Sequence, residues 1–194
     1  MSRTERSRRQ ILDAAIIEFE ADGFDGASME KIAKRAGLTR ATLYNLFSSK
    51  EDIAETIIGE AVGVWDAEIR QRLAEGSDAL ELIVEALQRH AEACLAHPRI
   101  AISVSFSPQR HAPSASCSQR PSFRRLVADL AKAAQADRQL RTDLGPESLM
   151  HFIVGLYIQF MIHQIVNGGP MPPEAIPQLV RLTCEGVGPQ EDSR

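Results

Sequence analysis

The chain carries none of the short motifs that mark common catalytic sites. It has no G-x-S-x-G elbow, no glycine-rich phosphate loop and no H-E-x-x-H pair, and its acids, such as Glu81 and Glu85, lie along helix surfaces rather than in facing pairs. No catalytic residue can be nominated, so a non-enzyme is expected. Cysteine is equally sparse: Cys94, Cys117 and Cys184 are odd in number and unpatterned, which excludes a disulfide framework and fits a reduced, cytoplasmic protein. His90, Cys94 and His97 fall on one helical face at i, i+4 and i+7. Three ligands on one helix rarely converge on a tetrahedral ion without a fourth, so no metal or cofactor is expected there. A redox role for Cys117 is a minor alternative. No internal repeat is present, and no apolar stretch follows the early arginines in the manner of a signal peptide.

What is present is a hydrophobic fraction of 44% over 194 residues, enough for a core without covalent staples. The formal charge of −4 is unevenly spread. Residues 1–50 hold nine Lys/Arg against seven Asp/Glu, whereas the remainder holds thirteen against nineteen. Arg3, Arg6, Arg8 and Arg9 cluster at the basic end, where they can follow a phosphate backbone.

The informative stretch is Ser28 to Lys50. Met29, Ile32, Ala33 and Ala36 recur at helical spacing, with Glu30, Lys31, Lys34 and Arg35 on the outer side. Gly37 allows a sharp turn. Thr39 is placed to cap a second short helix that Leu43, Leu46 and Phe47 pack down, leaving Arg40, Ala41, Thr42, Tyr44 and Asn45 on its free face. Small residues beside an arginine, an asparagine and hydroxyls suit a helix in a major groove. Ser48 to Glu51 reads as an S-x-x-E capping box opening a third helix, with Lys50 near the same surface. Ahead of this motif, Ile11, Leu12, Ala15, Ile16 and Phe19 form the stripe of a first helix, which ends where Gly23 takes a left-handed cap and Phe24 folds back.

In these residues the chain resembles the DNA-binding domain of the tetracycline-repressor (TetR) family of bacterial transcription regulators. The resemblance rests on Arg9 to Ala15 with Phe19, Gly23-Phe24, Ser28, Ile32-Ala33, Ala36-Gly37-Leu38, Thr42-Leu43-Tyr44, Phe47 and Ser49-Lys50-Glu51. It implies an all-α fold of about nine helices, with a helix-turn-helix domain over 1–50 and an effector-binding and dimerisation domain over 51–194. It assigns Ser28 and Tyr44 to phosphates, Thr39, Arg40 and Thr42 to phosphates or base edges, Asn45 to a base and Lys50 to a phosphate. Ala41 departs from the glycine frequent in the family; its methyl can touch a thymine methyl, which affects operator sequence rather than DNA binding.

Beyond residue 52 the pattern is helical. One element runs from Ile53 to about Leu73 and another from Ser77 to His97, with a polar, proline-bearing loop at 107–120 and a helix from Pro121 to Ala136. Residues 99–106 alternate at period two and local preference favours a strand; the resemblance implies a short helix there and a lone strand would lack a partner, so a helix is expected. Leu149 to Val166 contains no Asp, Glu, Lys or Arg. Its His151, Gln159, His163 and Gln164, and the lack of a basic anchor, argue against a membrane span. A helix apolar on two sides instead buries one in its own core and the other against a partner; with a last helix from about Glu174 to Gly186 it is expected to form a homodimer interface.

An effector cavity is expected among Trp65, Leu87, His90, Cys94, Phe106, Phe123, Phe152, Tyr157, Phe160 and Met161, the ligand being apolar or aromatic. The function expected is a transcriptional regulator, a repressor that occupies a palindromic double-stranded DNA operator as a homodimer and is released by a small molecule. The alternative is a DNA-binding protein of the same fold controlled by a protein partner.

Overall fold

A computed structural model describes residues 2–106 and 122–187, with the side chains of 104–106 and 185–187 left out of account. The expected loop at 107–120, Cys117 and the side chain of Phe106 therefore lie outside the described residues. Among these residues the chain is all helix: α1 (Arg3–Gly26), α2 (Met29–Arg35), α3 (Arg40–Leu46), α4 (Lys50–Ala74), α5 (Ala79–Ala96), α6 (Pro98–Phe106), α7 (Phe123–Ala136), α8 (Pro146–Asn167) and α9 (Ala175–Val187). The alternating segment at 99–106 is helical, and Pro98 occupies a first-turn position that needs no backbone donor.

The described residues divide into two units, 2–61 with 93–106 and 62–92 with 122–187. In the first, Ile11, Leu12, Ala15 and Phe19 of α1 close on Ile32 and Ala33 of α2, Leu43 of α3, Phe47 and Ile53, all buried. Ile100 of α6 joins the same cluster. Arg99 of that helix donates to the Ala21 carbonyl at 3.2 Å, so α6 is bound to α1 as well as packed on it. The start of α1 is fixed by a reciprocal capping box. Glu5 N–H donates to Ser2 Oγ at 3.1 Å, and the Glu5 carboxylate takes the Ser2 N–H in return. At its other end Gly23 adopts φ 72°, ψ 170°, and one further turn closes as Ala27 N–H donates to the Gly23 carbonyl. The Phe24 ring then returns onto Phe19, 5.2 Å between centroids.

In the second unit α8 packs on α7 and α9. The buried face of α7 is Phe123, Leu126, Val127, Leu130, Ala131 and Ala134. Its exit turn is clamped by Gln135, whose side-chain amide donates to the carbonyls of Arg141 and Leu144, both at 2.7 Å. Pro146 at the first position of α8 and Gly168 (φ 71°) just past its end set the length of that helix. Among the described residues α8 alone is long and apolar enough to cross a membrane by length and composition. One face of it, with Leu149, Ile153, Val154 and Tyr157, is buried inside the protein.

Candidate nucleic-acid interface

The helix-turn-helix forms because each of its short helices is capped by its own sequence. Ser28 Oγ accepts the Lys31 N–H at 3.2 Å to open α2. Gly37, at φ 67°, supplies the left-handed turn that ends it. Thr39 Oγ1 accepts the Thr42 N–H at 3.2 Å to open α3, and the two threonine hydroxyls lie 2.9 Å apart. Helices of seven residues are far too short to be stable alone, so Leu43 and Phe47 in the core hold α3 in place. Residues Arg40, Ala41, Tyr44 and Asn45 are exposed, and Tyr44 retains 55% of its surface, so the free face expected of a recognition helix is open.

The start of α4 differs in register from the expected box. Ser49 rather than Ser48 is the cap, its Oγ accepting the Asp52 N–H at 3.2 Å, while the Asp52 carboxylate reaches back to the Ser48 N–H at 3.0 Å. The chain offers an acid three residues after each serine, and the frame is decided by α4 beginning at Lys50 rather than one residue earlier. Lys50 itself turns inward. Its ammonium donates to the carbonyls of Phe24 (2.7 Å) and Ala27 (3.4 Å) and sits 4.5 Å from the centre of the Phe24 ring. It thus satisfies carbonyls at the end of α1 that would otherwise lack partners.

Most other cations of this unit are also held by the protein. Arg35 of α2 is bound to Glu18 of α1, a carboxylate only 6% exposed, at 2.5 Å. Lys31 lies 2.6 Å from Asp22, and each draws the other's pKa away from its ordinary value, Asp22 down and Lys31 up, through that hydrogen bond. Arg8 stacks over the Phe47 ring at 4.7 Å, and both Arg8 and Arg9 approach Glu60 of α4 at 3.9 Å. Arg40 is paired with Glu30. Glu30 and Arg35 lie on the outer side of α2 in the sequence pattern, and neither partnership is legible there because each joins different helices.

The ligand-binding residues expected from the sequence separate into groups. His90, Phe123 and Tyr157 come together: His90 Nδ1 shares a 2.8 Å hydrogen bond with the Tyr157 hydroxyl, and the imidazole stacks on Phe123 with centroids 3.9 Å apart. Burial, then the nearby Arg124 charge, lowers the His90 pKa to about 4 and keeps the ring neutral. Trp65, Leu87 and Met161 are buried, and Phe160 is half-buried. Phe152 corrects the expectation, since it points out of the unit and is 54% exposed. Cys94 is buried in the first unit, and burial pushes its thiol up to about 12, which suppresses the thiolate. His97 approaches Glu20 at 3.8 Å. His90, Cys94 and His97 thus have separate surroundings, and no group of three or more metal-ligating side chains occurs among the described residues.

Two short capped helices, a glycine turn and an open outer face on the second define a helix-turn-helix protein. Residues 11–57 match the family model described as bacterial regulatory proteins, tetR family. The match makes residues 11–57 similar to that family of regulatory proteins and leaves the rest of the chain outside the match. It is similar to the fatty acid metabolism regulator protein of Bacillus subtilis (strain 168), 31% identical over 81 residues, which cover 42% of each chain. The matched stretch therefore spans less than half of that relative's length. Among solved structures it is similar to Thermus thermophilus FadR, a TetR-family transcriptional repressor in complex with lauroyl-CoA (TM-score 0.75, 21% identity, covering 96% of this chain and 98% of the other). It is also similar to Bacillus subtilis FadR in complex with stearoyl-CoA (TM-score 0.69, 19% identity, covering 92% and 98%). At these identities the structural likeness concerns the fold.

Proposed function

We propose that the protein is a cytoplasmic repressor that binds a palindromic operator as a homodimer and leaves it when a small apolar effector binds within residues 51–194. Residues 1–50 read the DNA in this scheme. The observation that carries it is the open face of α3, where Arg40, Ala41, Tyr44 and Asn45 stand clear of the core beside two capped helix starts. Ser28, Thr39 and Thr42 lie at those starts, where their hydroxyls and neighbouring N–H groups suit phosphates.

Symmetry is supported by surface that one chain leaves uncovered. Phe152 (54%), Leu156 (52%) and Val166 (68%) on α8 and Leu182 (65%) on α9 are all exposed. Phe152 and Leu156 are one turn apart, so they form an apolar stripe on the face opposite the buried one, suited to a second copy of the same two helices. Sedimentation at micromolar concentration is expected to give a dimer, about twice the 21.4 kDa chain. The pair Phe152→Glu and Leu156→Glu is expected to reduce it to a monomer of unchanged helicity. A wild-type monomer would refute the symmetric reading.

The effector class is supported by relatives that hold lauroyl-CoA and stearoyl-CoA. An apolar interior containing one polar pair, His90 with Tyr157, is compatible with an acyl chain bearing a polar end. Preference for one of two dimer arrangements by about 1–3 kcal/mol suffices for useful release.

A further inference from the structure

The ion pair between Glu30 and Arg40 contributes little to folding. Both side chains are more than half exposed, and pairs of that kind are weak. Helices α2 and α3 are already fixed by Ile32, Ala33, Leu43 and Phe47 in the core and by the caps at Ser28 and Thr39. Position gives the pair its interest. Glu30 lies in the first turn of α2, and Arg40 is the first residue of α3, the end of a recognition helix that comes nearest the bases. A carboxylate there is repelled by every phosphate around it, so its direct effect on DNA affinity is unfavourable.

We propose that Glu30 is a positioning residue for DNA reading, one that aims the Arg40 guanidinium at a base edge and away from the nearest phosphate. The inference rests on the reading above, in which α3 enters the groove with Arg40 at a base. The physical basis is the arginine fork. The guanidinium presents five N–H donors in one plane, and Glu30 engages Nη2. The pair needs only one of the two Nη2 hydrogens, so one two-donor edge of the guanidinium, formed by the other Nη2 hydrogen with Nε or Nη1, remains for the O6 and N7 acceptors of a guanine. Unrestrained, so long a side chain samples many rotamers, and the strongest attraction in its reach is a phosphate, which carries no sequence information. A carboxylate beside it both restricts the rotamers and makes a phosphate approach unfavourable. Glu30 thereby exchanges affinity for discrimination.

The experiment measures binding of the full-length wild type, E30Q, R40A and the double variant to a library in which each operator base pair is varied, with random DNA as the reference. E30Q keeps size and shape, so it removes charge alone. The expected result is that R40A abolishes preference at one base pair of each half-site. E30Q is expected to reduce discrimination at that same pair about tenfold, leave other pairs within about twofold and raise affinity for random DNA; in the R40A background it should change discrimination no further. Wild-type discrimination by E30Q at the base pair that R40A affects would overturn the positioning role and leave the groove reading standing. If R40A retained every base preference, or the wild type preferred no sequence at all, the reading of Arg40 would fall and this inference with it.

Discussion

Operator affinity is expected to fall about 10³-fold when salt rises from about 50 to 200 mM, the slope of log K against log salt being about −0.9 per phosphate neutralised. Nine Lys/Arg in the first fifty residues would suggest a steeper dependence. The structure reduces that number. Arg35, Arg9, Lys31 and Arg40 are paired with Glu18, Asp13, Asp22 and Glu30, Lys50 is spent on backbone carbonyls, and Arg8 lies over Phe47. Arg3, Arg6 and Lys34 remain exposed and, among the described residues, without a carboxylate partner. Three such cations per chain give six in a dimer, which places the slope near −5. Filter binding or fluorescence anisotropy across this salt range measures it directly. A slope shallower than about −2 would mean that the basic end does not follow the phosphate backbone.

Stability is expected to depend on pH through His90. Its folded-state pKa is lowered from 6.5 to about 4, so below pH 6.5 the unfolded chain takes up a proton that the folded chain refuses. The neutral ring therefore costs nothing above pH 6.5, and folding stability drops progressively as pH falls from there to about 4. A difference of that size corresponds to about 3 kcal/mol, at about 1.4 kcal/mol per pH unit. Carboxylates titrate over the lower part of the same range, so the informative quantity is the difference between wild type and His90→Asn, which cannot take up the proton. Urea unfolding should show the wild type more stable at pH 7.5, where the Tyr157 hydrogen bond and the Phe123 stack are intact. That advantage should shrink by about 3 kcal/mol by pH 4. A difference independent of pH would show that the ring is hydrated and not confined among those partners.

The parts of this fold that were legible in the sequence are those governed by neighbours along the chain. Thr39 before a short apolar repeat, Gly37 between two such repeats, and Gly23 ahead of Phe24 each act within a few residues, and each sits where local chemistry placed it. Adjacent alternatives were harder. Ser48 and Ser49 are each followed three residues later by an acid, so the residues alone do not choose between the two frames. The Ser2–Glu5 box has the same spelling but lies at a chain end, where fraying is the usual expectation. At 99–106 period-two alternation favours a strand, and the helix follows from the family resemblance and the absence of a partner strand rather than from the residues themselves.

What was not legible depends on helices meeting in space. Glu18 and Arg35 are 17 residues apart, and His90 and Tyr157 are 67 apart. No periodicity along one helix records which side chain of another will face it. The same holds for Lys50, whose place beside the helix-turn-helix suggests a phosphate contact, whereas its ammonium donates to the Phe24 carbonyl at the end of α1. Phe152 was grouped with interior aromatics by residue type, whereas α8 turns it outward beside Leu156. Composition identified α8 as apolar on more than one side but could not say which side faces the core.

The central claim is that two copies of α3 read successive major grooves of one duplex. Its most direct test is selection of bound fragments from random DNA by the full-length protein, followed by footprinting of the enriched sequences. The result expected is an inverted repeat whose half-sites lie about 34 to 36 Å apart, or at a related helical spacing, with protection lost in Arg40→Ala. Enrichment of no sequence, or of a single unrepeated site bound equally well by Arg40→Ala, would contradict it.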